Sequence, residues 1–378
     1  MRSNLLARIG MRSADFCERW FPDAFVFALA AIVLVFIGGL TIGVAPVKLA
    51  TEFGNGFWSL VNFTMQMAMV IVGGFVVASS PPVARLTRWL ASIPKTPRGA
   101  VAFVAAFAML SSLISWGLSL IFTGLLVREV VRRIERVDYR AIGAAAYLGL
   151  GSVWALGLSS SAALLQATKS SIPPSLLPIT GVIPLTQTIF LWQSLAMAAT
   201  LIVISVVVAY FSAPDGESAR TAKEMGITFE SVGQAPPPAA TPGERFEESP
   251  ILIVLIAALM IWFLVMNFRE KGGFAALDLN NFNFAFIAAG LLLHWRPRSF
   301  LRAVTNAIPA TAGVLIQFPF YGGIFGMISK TDIAPRLAHG FVAITTKSTF
   351  PLVVALYSAI LGMFVPSGGG KWVVEART

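Results

Sequence analysis

Four short clusters in this sequence carry groups able to hold a small ligand, and each interrupts an apolar run. They are Ser111-Ser112-Leu113-Ile114-Ser115-Trp116-Gly117, Trp154-Ala155-Leu156-Gly157-Leu158-Ser159-Ser160-Ser161-Ala162, Gln317-Phe318-Pro319-Phe320-Tyr321-Gly322-Gly323 and Phe364-Val365-Pro366-Ser367-Gly368-Gly369-Gly370-Lys371-Trp372. Proline lacks an amide hydrogen and consecutive glycines free the backbone, so the last cluster opens a helix and leaves N–H and C=O groups without partners. At membrane depth such backbone must be buried in protein or line a cavity. Helix-start amides and serine hydroxyls suit a small anion, while carbonyls at helix ends suit a cation. The same residues have a plainer reading. Glycine and serine let membrane helices pack closely, Gln66 and Gln317 can bond across helices, and Trp116, Trp154 and Trp372 can simply pack.

Composition places these clusters in a membrane. Of 378 residues, 56% are hydrophobic and only 12% charged, and the apolar residues come in long blocks. That is the pattern of a polytopic membrane protein. The net charge of +10 falls in short segments between apolar blocks, where it sets orientation and forms no nucleic-acid groove. One cysteine, Cys17, and two histidines, His294 and His339, provide neither a disulfide framework nor a Cys/His metal cluster. The expected spans contain no Asp, Glu, Lys or Arg, so acid-base catalysis, a proton relay and a carboxylate metal site lack residues there. No enzyme activity, cofactor or metal is expected.

The elements that must position the clusters are helices throughout, giving an all-α fold. Residues 1–23 read as an interfacial helix on the cytoplasmic surface, with Leu5, Ile9, Phe16 and Trp20 on one side and Arg8, Arg12 and Arg19 elsewhere. Residues 24–211 form a first membrane repeat, with spans over 24–44, 57–78, 141–165 and 189–211, and Glu52 to Gly56 read as a turn. Residues 212–249, rich in Pro, Ala and Glu, read as a flexible cytoplasmic linker. Residues 250–378 form a second repeat, with spans over 250–268 and 303–328, a short segment over 281–293 and a final apolar block.

Basic segments flank the single apolar block 99–127 on both sides, and both belong inside by the positive-inside rule. A re-entrant hairpin with Ser115 at its tip resolves this. Its arms are expected to reach about 21 Å each, too short to cross. A second such hairpin turns at Ser367. Gln66 precedes Gly73-Gly74 as Gln317 precedes Gly322-Gly323, so the two halves read as inverted repeats.

At this point the chain resembles a family. Gly56-Phe57-Trp58, the run from Gln66, Ser115-Trp116-Gly117, the Trp154 to Leu164 cluster, Gln317 to Tyr321 and Val365 to Gly370 are similar to the short-chain fatty acid transporters, the acetoacetate and butyrate permeases. The resemblance implies an inner-membrane secondary carrier for small monocarboxylates, working by alternating access, with its N-terminus in the cytoplasm. By motif, Ser159 and Ser161 match the family's paired serines and Ser367 to Gly370 its Pro-Ser-Gly-Gly-Gly. Ala155, Leu156 and Ala163 depart from its pattern. The family also continues beyond the glycines, so the second repeat is expected to be incomplete, and a transport-inactive remnant or subunit is the alternative reading.

A short-chain carboxylate needs donors at its head and an apolar wall along its tail. Ser115, Ser367 and the amides of Gly368, Gly369 and Gly370 would supply donors. Ser159 and Ser161 would close the polar side, Trp116, Trp154 and Phe318 would cover the tail, and Gly117 and Gln317 complete the candidate set. With no carboxylate in the spans, any coupling ion is either sodium on backbone carbonyls or a proton carried by the acid itself. A lipid bilayer is the expected surrounding, and a homodimer is compatible with the sequence.

Overall fold

The computed structural model describes residues 5–214, 216–228, 241–365 and 367–376; Pro366 and 229–240 of the expected linker lie outside them. The described residues contain helices and no strand. In chain order the α-helices are α1 (Leu5–Trp20), α2 (Ala24–Thr41), α3 (Pro46–Phe57), α4 (Val61–Ala78), α5 (Pro81–Leu90), α6 (Pro97–Ile114), α7 (Trp116–Arg133), α8 (Tyr139–Leu148), α9 (Ser161–Ala167) and α10 (Leu177–Thr180). They continue as α11 (Trp192–Ser212), α12 (Pro242–Glu248), α13 (Ile251–Lys271), α14 (Leu279–His294), α15 (Pro297–Ala307), α16 (Ala312–Ser329), α17 (Ile333–Ile344), α18 (Phe350–Phe364) and α19 (Gly368–Glu375). Among them, seven helical stretches are long and apolar enough to cross a membrane.

Burial sorts these helices into a centre and a rim. In α4, 61% of the apolar window is buried, against 11% in α11. The long rim helices α11 and α13 instead expose Val203, Ile204, Leu252, Leu255, Leu259 and Trp262. Apolar faces of that extent belong against lipid tails. Each of these two helices has 21 residues, or about 31 Å at 1.5 Å per residue, enough for the hydrocarbon layer.

Glycines let the central helices touch backbone to backbone. The expected turn at Glu52 to Gly56 is instead the end of helix α3, with Gly54 and Gly56 inside it. The reason is tertiary. A Cβ at Gly56 would stand 2.5 Å from Gly322 O on α16, and one at Gly326 would strike Glu52 O. Helix α3 therefore exists as one half of a close-packed pair whose contact outweighs the poor helix propensity of glycine. On the other side of the molecule, Gly74 of α4 meets Gly117 and Leu118 of α7 in the same manner.

Two hairpins lie against this centre. Helix α7 folds back on α6, since Ser119 Oγ donates to Ala108 O at 2.7 Å and the rings of Phe107 and Phe122 lie 5.2 Å apart. Each arm has 18 residues, about 27 Å, longer than the roughly 21 Å expected from sequence. In α6 only Arg98 is charged, and α6 is one of the seven stretches long enough to cross; in α7 the added length is mostly charged, with Arg128, Arg132 and Arg133 in its last turns. Helix α19 likewise folds back on α18, with Lys371 Nζ donating to Ser358 Oγ at 2.7 Å.

The start of the expected linker is held in place. Tyr139 N donates to Arg220 O, and Arg220 N donates to Asp138 Oδ2 at 3.0 Å. Asp138 is buried between α7 and α8 and also pairs with Arg140 at 2.6 Å. Arg220 is thus tied to the turn between α7 and α8.

Candidate functional site

The two helix breaks share one local design. At the first, Ser115 is extended (φ −154°, ψ 122°) and its side chain accepts from Leu118 N at 3.3 Å, starting α7. At the second, Ser367 is extended (φ −140°, ψ 119°) and accepts from Gly370 N at 3.2 Å, starting α19. In both, the serine is an N-cap that satisfies one of the orphan amides of the new helix.

A third break joins the two tips. Past Leu148 the chain widens into a π-turn over Gly149–Val153, tightens into a 3-10 turn over Trp154–Leu156 and then leaves helical geometry until Ser161. The π-turn follows from contact with α6, because Gly149 abuts Ala108 O and Ser112 Oγ donates to Gly149 O at 2.9 Å. The irregular stretch beyond it spends its hydroxyls on the hairpins. Ser159 Oγ accepts from Trp116 N at 2.8 Å, and Ser161 Oγ accepts from Gly369 N at 3.0 Å. Leu158 N donates to Leu113 O at 2.7 Å. One segment of three residues therefore binds the tip of each hairpin.

Where these parts converge lies a cavity of about 650 Å³. At about 30 Å³ per water it has room for a short carboxylate and solvent besides. Of the residues expected from sequence, Trp116, Trp154, Ser161, Gln317, Phe318, Ser367 and Gly368 line it. Ser115, Gly117, Ser159, Gly369 and Gly370 do not. Ser115 and Ser159 are fully buried and hold backbone amides. Gly117 lies under Val70 O, and Gly369 lies against Phe63. The amides of Gly369 and Gly370 already have serine acceptors, and of the three glycines Gly368 is the one that lines this space.

The cavity has two characters. Its apolar lining includes Met67, Ile71, Trp116, Trp154 and Phe318, the last stacked on Phe63 at 5.4 Å. Its polar lining includes Ser367, Gln317 and Lys371. Gln317 Oε1 accepts from Tyr321 OH at 3.1 Å. Lys371 was absent from the sequence-derived set. Its signal was a lysine directly after a glycine run inside apolar sequence, in the first turn of the helix the run opens. Helix α19 is pinned behind it by Trp372, whose Nε1 donates to Gln166 Oε1 at 2.9 Å.

Residues 5–378 match a protein family described as short chain fatty acid transporter. This chain belongs to the short-chain fatty acid transporter family. A relative from Escherichia coli (strain K12) is 36% identical over 373 residues, covering 98% of this chain and 83% of the relative. One from Haemophilus influenzae is 33% identical over 378 residues, covering 98% and 84%. Both bear the name "Putative short-chain fatty acid transporter". No solved structure matches the chain. The apolar helices agree with the family in making this transporter a multi-pass membrane protein.

Proposed function

We propose that this transporter carries short-chain monocarboxylates such as butyrate or acetoacetate across the cytoplasmic membrane, as a secondary carrier, with the carboxylate bound in the central cavity. The observation that carries this reading is a cavity walled by both hairpin tips, whose lining combines hydrogen-bond donors with aromatic rings. The head would meet Ser367 Oγ–H, Gln317 Nε2 and Gly368 N, and the tail would lie against Trp116, Trp154 and Phe318. Each hydrogen bond to the charged head is worth about 1.5 to 3 kcal/mol. Alternating access would come from movement of the hairpins about the Ser159 to Ser161 segment. Helix α4 meets α7 at Gly74, and α16 meets α19 where Tyr321 lies against Gly370, contacts that support the inverted-repeat reading.

Counterflow in liposomes tests the proposal. Vesicles holding purified protein and unlabelled butyrate, at about pH 8 where the acid is ionised, should accumulate external labelled butyrate. Protein-free vesicles set the background for diffusion of the neutral acid. Accumulation no greater than that background rejects the proposal.

A further inference from the structure

Lys371 is the one charged side chain lining the central cavity, among the described residues. Its ammonium has three protons. Two hydrogen bonds are in place, to Ser358 Oγ at 2.7 Å and to Ser358 O at 3.3 Å, both on α18. One proton is left over. No acidic side chain among the described residues forms an ion pair with it. Its position also adds to its charge, because Lys371 lies in the first turn of α19, at the positive end of the helix dipole. A cation is disfavoured at that end of a helix, and a charged group within the bilayer is costly unless it is paired. A bound anion relieves both.

We infer that Lys371 is the fixed counter-charge for the substrate's carboxylate, so that the loaded site is neutral without a co-bound cation. This rests on the proposed carboxylate site in the cavity. Ser358 acts as a positioning residue: it holds the ammonium beside Gly362, at the cavity wall, with the third proton available to a carboxylate oxygen. Selection then favours anions over neutral molecules of the same shape. A sodium ion entering with the acid would place two cations on one anion, so binding is independent of sodium.

Calorimetric titration of the purified chain in detergent tests this with butyrate and its neutral analogue butyramide. Wild-type protein should bind butyrate at least tenfold more tightly than butyramide, with the same Kd in sodium as in choline buffer. Lys371→Gln should weaken butyrate at least tenfold and erase most of that preference, and Lys371→Arg should restore it. Exchange of butyrate across loaded liposomes should also be unchanged by an imposed potassium diffusion potential, since carrier and anion cancel.

A folded Lys371→Gln protein with wild-type butyrate affinity overturns the inference while leaving the carboxylate carrier standing. Tenfold tighter binding in sodium, or exchange that follows the potential, overturns it equally, and both are read on unaltered protein should the variant not fold. Failure of wild-type protein to bind butyrate at all removes the carboxylate site, and the inference with it.

Discussion

At the scale of single residues, hydroxyls that composition marks as ligand groups are divided between two tasks. Ser159 only accepts from a backbone amide at a tip, whereas Ser161 and Ser367 each accept from a glycine amide and also line the cavity. Removing Ser161 Oγ would strip the buried Gly369 amide of its acceptor, at a cost of about 1 to 3 kcal/mol. Ser161→Ala should therefore lower the thermal midpoint of the detergent-solubilised protein, and Ser161→Thr, which keeps the oxygen, should recover most of it. Equal midpoints for all three proteins would mean that the tips do not depend on this bond. The glycines divide similarly. Gly368 fronts the cavity, while Gly369 is there because Phe63 leaves no room for a Cβ.

At the scale of elements, the hairpin α6–α7 is held on several sides, by Gly74 of α4 and by the chain around Gly149 and Gly157. Its two open ends both carry arginines, which is the basis for reading it as entering and leaving from one face of the membrane. Single cysteines at Arg88→Cys and Arg133→Cys, placed in a Cys17→Ser background because Cys17 is exposed, would report the sidedness. Both should resist an impermeant thiol reagent outside intact cells and react once the membrane is opened. Labelling of either from outside would make α6 and α7 ordinary spans. Helix α3 teaches the complementary lesson. Gly54 and Gly56 read locally as a turn, yet both lie inside the helix, and Gly56 is its backbone contact with α16.

Across the whole molecule, one acidic group ties the first hairpin, α8 and the chain beyond α11. Burial pushes the Asp138 carboxyl upward, but hydrogen bonds from Arg140, Arg220 N and Ala141 N outweigh it and hold the group below its usual range. A carboxyl whose folded pKa is depressed gives stability that is full above its unfolded value, about 3.9, and is lost as pH falls through the folded value. Asp138→Asn should thus be less stable than wild type by a constant margin above about pH 5, with the margin shrinking below about pH 4. Denaturation curves at a series of pH values measure this. A margin that stays constant into acid would show that Asp138 contributes through shape alone.

Much of this architecture is legible in the sequence because its causes are local. Long uncharged apolar runs make membrane helices, a serine before glycines caps a new helix, and breakers at Ser115 and near Ser367 act within a few residues of themselves. Those rules give the all-helical class, the apolar spans and the helix breaks at Ser115 and Ser367. Nothing local says which hydroxyl faces a ligand. The Ser159 and Ser161 bonds join residues 43 and 208 positions apart, and only folding reveals that their oxygens are already taken. The same holds for Lys371. In sequence it is a lysine near the end of an apolar block, and it becomes the charge in the cavity only when α19 turns back on α18 and Trp372 locks against Gln166. Local backbone physics sets where helices start and stop, whereas the facing of a side chain depends on which distant helix packs behind it.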